Sequence, residues 1–261
     1  MARKQSILAA DPVVMPNGQK LSLPDFLSWA KSLDHDTPPQ HGSAVACVVA
    51  GILSECFPCT GGPIDGASPG PVCGWTFSEV FGPKGGNVTF TPGQMEMNAT
   101  ANNEVPAALK SVAIPTLNAI TFQTTFTEFP GATGSGFSQY EFYLMTGGVS
   151  RVLALVMVDT GILTLTVGPS AGADTYSAPW TPNNGTHTIH ITVSAGGVPT
   201  LYIDGILVPL TFLGNGALFT GLPANTVSAF FSSGPTFPQT AVISEIFITS
   251  GVLPPTTTFC C

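Results

Sequence analysis

Six cysteines, at positions 47, 56, 59, 73, 260 and 261, are the side chains whose type and spacing bear most directly on chemistry. Cys56-Phe57-Pro58-Cys59 is a C-x-x-C pair, a spacing used by dithiol redox exchange, by zinc sites and by disulfide staples. Redox chemistry needs that pair at a helix N-terminus beside a βαβ unit, and no such pattern surrounds it. Zinc would draw on Cys56, Cys59, Cys73 and a fourth thiolate, although the chain has no second C-x-x-C. The even count favours disulfides over both. None of the six lies between residues 74 and 259, so the expected staples flank the central part of the chain.

Other catalytic sets are thin. The acids beyond residue 81 are Glu96, Glu104, Glu128, Glu141, Asp159, Asp174, Asp204 and Glu245, and no two lie within five positions of each other. His187 and His190 are three apart, which on a strand sets them on opposite faces and excludes a simple i, i+2 metal pair. There is no G-x-S-x-G, and Gly134-Ser135-Gly136 reads as a loop rather than a nucleophile turn. No enzyme is expected. Aromatics near loops, Tyr176, Trp180 and Phe237, are candidates for stacking on sugar rings.

The elements that would position these groups change character along the chain. Residues 1–74 are rich in Pro and Gly and read as an irregular arm with one short helix, about 22–33. Ser22 with Asp25 forms a capping box, and Leu23, Phe26, Leu27, Ala30 and Leu33 share a face suited to docking. From residue 75 the period becomes two. Short runs of β-branched and aromatic residues separated by Gly, Pro and Asn predict strands at 75–80, 87–91, 94–98, 120–128, 139–145 and 151–158. Further strands are expected at 162–167, 187–194, 200–203, 206–210, 227–231 and 241–249, enough for two packed antiparallel sheets.

Composition bounds the function. Charged residues make up 8% of the chain, the net charge is −8, and Arg151 is the last Lys or Arg, so the second half has nothing with which to neutralise phosphates. Nucleic-acid binding is excluded on that ground. The longest apolar run, residues 44–53, is too short to span a bilayer, and no apolar signal core follows Arg3-Lys4.

Between residues 180 and 208 the sequence gives two strands joined at Gly196-Gly197 and a second hairpin turning at Asp204-Gly205. Trp180 precedes the alternating Ile189, Ile191 and Val193, Leu201-Tyr202-Ile203-Asp204-Gly205 follows, and residues 242–248 supply a late closing strand. This pattern resembles the concanavalin A-like jelly roll of laminin G-like and pentraxin-like domains. The resemblance covers residues 75–253, with a C-terminal Cys tail at 254–261, and implies an all-β, two-sheet antiparallel sandwich. It implies that the ends of the fold meet, so that Cys260 and Cys261 reach separate cysteines of the arm or of another subunit. In retaining β-glucanases of the family the catalytic acids stand as E-x-D-x-x-E, a triplet this chain lacks. Asp159 and Asp174, with Asn183 and Asn184, fall on loops where the family sometimes binds calcium.

Because one fold serves lectins, adhesion modules, hydrolases and coat proteins, function has to come from sites. The expectation is a structural component of an extracellular assembly, a bacteriophage capsid decoration or tail-fibre protein. It would be anchored to other virion subunits through residues 1–74 and display a lectin-like jelly roll. The alternative is a carbohydrate-binding or adhesion module that meets cell-surface glycans, and a glycoside hydrolase ranks last.

Overall fold

The computed structural model describes residues 13–14, 20–21, 48, 50–78, 85–99, 105–114, 119–127, 139–146, 150–158, 161–168, 173–181, 185–214, 224–232 and 239–260. The chain divides into two compact units, Met1–Val45 and Ala46–Cys261. In the first, β1 (Val13–Val14) pairs antiparallel with β2 (Lys20–Leu21). The expected helix at 22–33 lies outside the described residues.

The second unit is all-β, and no helix occurs among its described residues. Its first strands are β3 (Leu53–Glu55), β4 (Gly61–Ile64), β5 (Thr76–Phe77), β6 (Asn87–Thr91), β7 (Gln94–Ala99) and β8 (Ala107–Ile114). Then follow β9 (Ile120–Thr127), β10 (Gln139–Thr146), β11 (Ser150–Val158), β12 (Ile162–Val167), β13 (Asp174–Pro179) and β14 (Thr186–Val193). The last are β15 (Pro199–Ile203), β16 (Ile206–Val208), β17 (Thr211–Gly214), β18 (Ala224–Ser232) and β19 (Gln239–Ser250). Strands thus begin well before residue 75: β3 and β4, in the segment read from sequence as arm, are built into the larger sheet.

The smaller sheet runs β17-β13-β12-β11-β10-β18-β8-β5, and the larger runs β16-β15-β14-β9-β19-β7-β6-β4 with β3 added to β19. Among the described residues every pairing between these strands is antiparallel, as expected when short loops join alternating strands. Alternation fixes which face each strand buries. In β7, Met95, Met97 and Ala99 point inward while Gln94, Glu96 and Asn98 do not. The core between the sheets holds an aromatic cluster in which Phe126 meets Tyr140 at 4.9 Å, Trp180 at 6.1 Å and Phe142 at 6.3 Å between ring centroids. Trp75 and Phe57 pack at 6.1 Å beneath the β3–β5 end of the sandwich.

β19 organises the larger sheet. One side pairs with β9 over residues 242–250, while the other takes β7 at residues 239–243 and β3 at 246–248. Beyond β19, residues 251–260 form a strap over the outward face. Thr200, Thr192, Thr121 and Thr249 stand in one row across four strands there. The Thr121 hydroxyl donates to the Gly251 carbonyl at 2.8 Å and accepts the Leu253 N–H at 2.9 Å. Phe259 stacks on Phe247 at 4.7 Å, and Val48 pairs in parallel with Phe259. The segment expected as a C-terminal Cys tail, 254–261, thus supplies Phe259 to this strap.

Candidate functional site

The cysteines end as staples. Cys59 and Cys73 are disulfide-bonded to each other across 14 residues, and Cys56 and Cys260 each take part in a disulfide as well. Oxidised sulfur cannot supply the thiolates a zinc site requires. Among the described residues no group of three or more His, Cys, Asp or Glu is placed to hold a metal. Cys47 and Cys261, like Asp159, Asn183, Asn184 and Phe237, lie outside the described residues.

Beside the Cys59–Cys73 bond, a buried polar cluster ties the sheets together. Glu55 on β3 is 5% exposed and accepts the Phe57 N–H at 3.1 Å and the Trp75 Nε1–H at 3.3 Å. Its carboxylate also pairs with Lys110 on β8, whose ammonium lies 5.6 Å from the Trp75 ring centroid. All three acceptor contacts are needed, because a buried carboxylate without donors is costly. The cluster is a clamp between the two sheets.

The two histidines take opposite faces of β14, as their spacing requires. His187 points inward against Trp180, edge-on at 5.0 Å, and its Nδ1 lies 2.8 Å from Asp204 Oδ2. Asp204 Oδ1 also accepts the Thr188 N–H at 2.8 Å, which holds the Asp204-Gly205 turn with both residues at positive φ (53° and 77°). His190 points outward under the strap and is 2% exposed. Its Nε2–H donates to the Leu253 carbonyl at 3.0 Å, and Nδ1 lies 3.1 Å from the Gln123 carboxamide. Burial pushes the His190 imidazole down, with the Leu253 contact opposing that shift.

The three aromatics proposed from sequence separate. Trp180 is 5% exposed and belongs to the core, so it offers no face for stacking on a ligand. Tyr176 on β13 is half-buried, and its ring meets Phe212 of β17 at 5.3 Å with a 53° tilt. Phe212 is 51% exposed. The pairing of β13 with β17 explains the contact, since Tyr176 stands opposite Phe212 and Ser177 opposite Thr211. A bulge follows at Leu213, and Gly214, at φ 122°, then stands opposite Thr175.

Asp174 opens β13 two residues before Tyr176, which on a strand puts the two side chains on the same face. Its Oδ1 is buried without a hydrogen-bond partner, and no hydrogen bond to its carboxylate forms among the described residues. Burial pushes the Tyr176 hydroxyl above the ordinary tyrosine range, and the nearby Asp174 charge adds to that push. An exposed aromatic face beside an acceptor-only group lacking donors can receive a molecule that offers one apolar face and several hydroxyls.

This site occupies a lateral edge of the sandwich. β16 ends the larger sheet and β17 ends the smaller one, and Pro209-Leu210 carries the chain directly between them. Ile206, Leu207, Phe212 and Leu213 are 72%, 58%, 51% and 61% exposed, which makes the edge apolar as well as open. Sequence reasoning singled out Tyr176 for stacking and Asp174 for calcium, and did not single out Phe212. Thr211-Phe212-Leu213-Gly214 is too short a run to register as a strand, and exposure of one Phe among 17 leaves no mark in the sequence.

No protein-family model matches the sequence, and no curated protein sequence matches it. Among solved structures the chain is similar to the CBM2 module of the evolved Dit protein of Lactobacillus casei BL23 phage J-1. Identity is 15%, coverage is 69% of this chain and 90% of that one, and the TM-score is 0.51. A mutant form of the Emp46p carbohydrate recognition domain gives 15% identity over 69% and 89% of the chains, with a TM-score of 0.50. The binding domain of botulinum neurotoxin DC, solved with rat synaptotagmin II, gives 12% identity and a TM-score of 0.51. There the match covers 64% of this chain and 42% of the other. The fold is a concanavalin A-like jelly roll. At such identities the likeness extends to the arrangement of strands, and the jelly roll's function must be read from its own side chains.

Proposed function

We propose that this chain is a carbohydrate-binding module whose ligand docks on the β13–β17 edge of the jelly roll. The observation that carries the reading is the Phe212 ring, half exposed against Tyr176, whose strand carries the Asp174 carboxylate on the same face. Sugars match that pair, because a pyranose presents C–H groups on one face and hydroxyl donors around its rim. The structural likeness to a phage carbohydrate-binding module and to a carbohydrate recognition domain supports the same reading. The module binds its ligand without turning it over, and calcium is not needed for the contacts described.

The setting we propose is an extracellular one, as part of a bacteriophage virion in a capsid decoration or a tail fibre. Disulfide-bonded cysteines fit an oxidising environment, and the unit Met1–Val45, with the rest of residues 1–74, would provide contacts to other virion subunits. Among the described residues no helix is long and apolar enough to cross a membrane.

The test is a glycan array probed with the full chain and with F212A. Loss of the exposed ring removes most of the stacking surface, so glycans retained by the parent should bind F212A about tenfold or more weakly. An array on which both proteins bind equally, or neither binds, would remove the edge from consideration.

A further inference from the structure

The ligand's chemical class follows from three properties of the same edge, and the inference rests on the carbohydrate-binding reading above. The first is ring geometry. Tyr176 and Phe212 are tilted by 53°, and Tyr176 is half-buried, so the aromatic surface is one ring wide and does not form a flat platform. A sheet-like crystalline polysaccharide needs coplanar rings in a row, whereas a single pyranose covers one ring.

The second property is the carboxylate. An ionised Asp174 can only accept hydrogen bonds, and its buried Oδ1 has no donor. Oδ1 itself is closed to a ligand, so a bound molecule meets the other carboxylate oxygen: hydroxyl donors suit that acceptor, and a ligand with its own negative charge opposes it. The third is that the strands forming the edge carry no cation. No Lys or Arg stands on β12, β13 or β17, and none occurs in the chain after Arg151. Arg151 itself is on β11, two strands from β13, and Lys110 lies five strands away, already paired with Glu55. At about 4.8 Å per strand, Lys110 is roughly 24 Å off, well beyond a Debye length in physiological salt.

We infer that the β13–β17 edge takes one uncharged sugar ring of a neutral, soluble glycan, stacked on Phe212 with hydroxyls donating to Asp174. Acidic glycans, whether sialylated or sulfated, are disfavoured by the same carboxylate. Flat insoluble polysaccharides are disfavoured by the ring tilt.

The experiment compares the full chain with F212A, D174N and, as a surface control on the β14–β15 loop, V198A. The probes are an array of neutral oligosaccharides with their sialylated and sulfated counterparts, and sedimentation with microcrystalline cellulose. Neutral glycans should bind and show little change between about 50 and about 500 mM salt, since no ion pair is involved. F212A and D174N should each weaken that binding about tenfold or more, and V198A should leave it within about twofold. A preference for sialylated or sulfated glycans that F212A still abolishes would overturn the neutral class while leaving the carbohydrate-binding reading standing. Cellulose binding lost in F212A would overturn the single-ring geometry in the same way. Absence of any glycan binding, or binding indifferent to F212A, would overturn both.

Discussion

Replacing Glu55 with alanine tests the clamp between the sheets. The side chain is 5% exposed and receives the Phe57 N–H, the Trp75 Nε1–H and the Lys110 ammonium. E55A leaves two buried donors without an acceptor, at about 1–3 kcal/mol each, with the longer 3.3 Å Trp75 bond at the lower end. It also strands Lys110. Removing one partner of a buried pair costs about 3–5 kcal/mol, but the Lys110 side chain is 22% exposed and can turn toward water, which cuts that share well below the buried figure. Taken together the loss is about 4 kcal/mol, or a fall in Tm of roughly 8–16 °C for a domain of this size. K110A should cost about half as much or less, because Glu55 keeps its two N–H donors and the lost cation–π contact contributes only about 0.5–1 kcal/mol. Equilibrium urea denaturation followed by tryptophan fluorescence measures both. An E55A protein within about 1 kcal/mol of the parent, or K110A as damaging as E55A, would refute the reasoning.

Three further outcomes are expected. C59A/C73A removes a staple closing a loop of 14 residues and should lower stability by about 3 kcal/mol, read from equilibrium urea unfolding. The depressed imidazole of His190 means that the unfolded chain binds more protons as pH falls below the ordinary histidine value. Its contribution is therefore full above about pH 6.5, declines as pH drops toward the folded-state value, and then levels. Stability profiles of the parent and H190Q between pH about 7.5 and about 5 should diverge over that window, and parallel profiles would contradict the assignment. D204A loses the acceptor for the Thr188 N–H at a residue with φ 53° and should cost about 1–2 kcal/mol in thermal melts, whereas D204N, which tolerates that conformation, should cost less.

Much of the sandwich was legible because its strands obey simple alternation. Asn87–Thr91 and Ile162–Val167 match the expected boundaries, and the Asp204-Gly205 hairpin turns where its residues dictate. The strands that escaped lack the usual signals. Ala107–Ile114 begins with alanines and carries Lys110, a composition suited to helix. Asp174–Pro179 has a single β-branched residue, and Gly61–Ile64 consists mostly of Gly and Pro. These three are strands because neighbours on the sheet supply hydrogen-bond partners, which is information carried by residues far away in sequence. The site follows the same division. Tyr176 and Asp174 could be picked out by residue type, but the burial of Trp180 and the exposure of Phe212 are set by packing across strands.

The position of β19 has a kinetic side. It is the central strand of the larger sheet, yet its partner β9 ends at Thr127 and β3 ends at Glu55, so its pairings close very long loops. At about 5–20 residues per second, a ribosome needs roughly 6–25 s to go from the end of β9 to the end of β19. During that time β9 can pair with β14 on one side only, and its other backbone edge faces the cell. Pairing at such sequence separation is intrinsically slow, so the nascent chain depends on late closure by β19 to hide an edge that would otherwise recruit a second nascent copy.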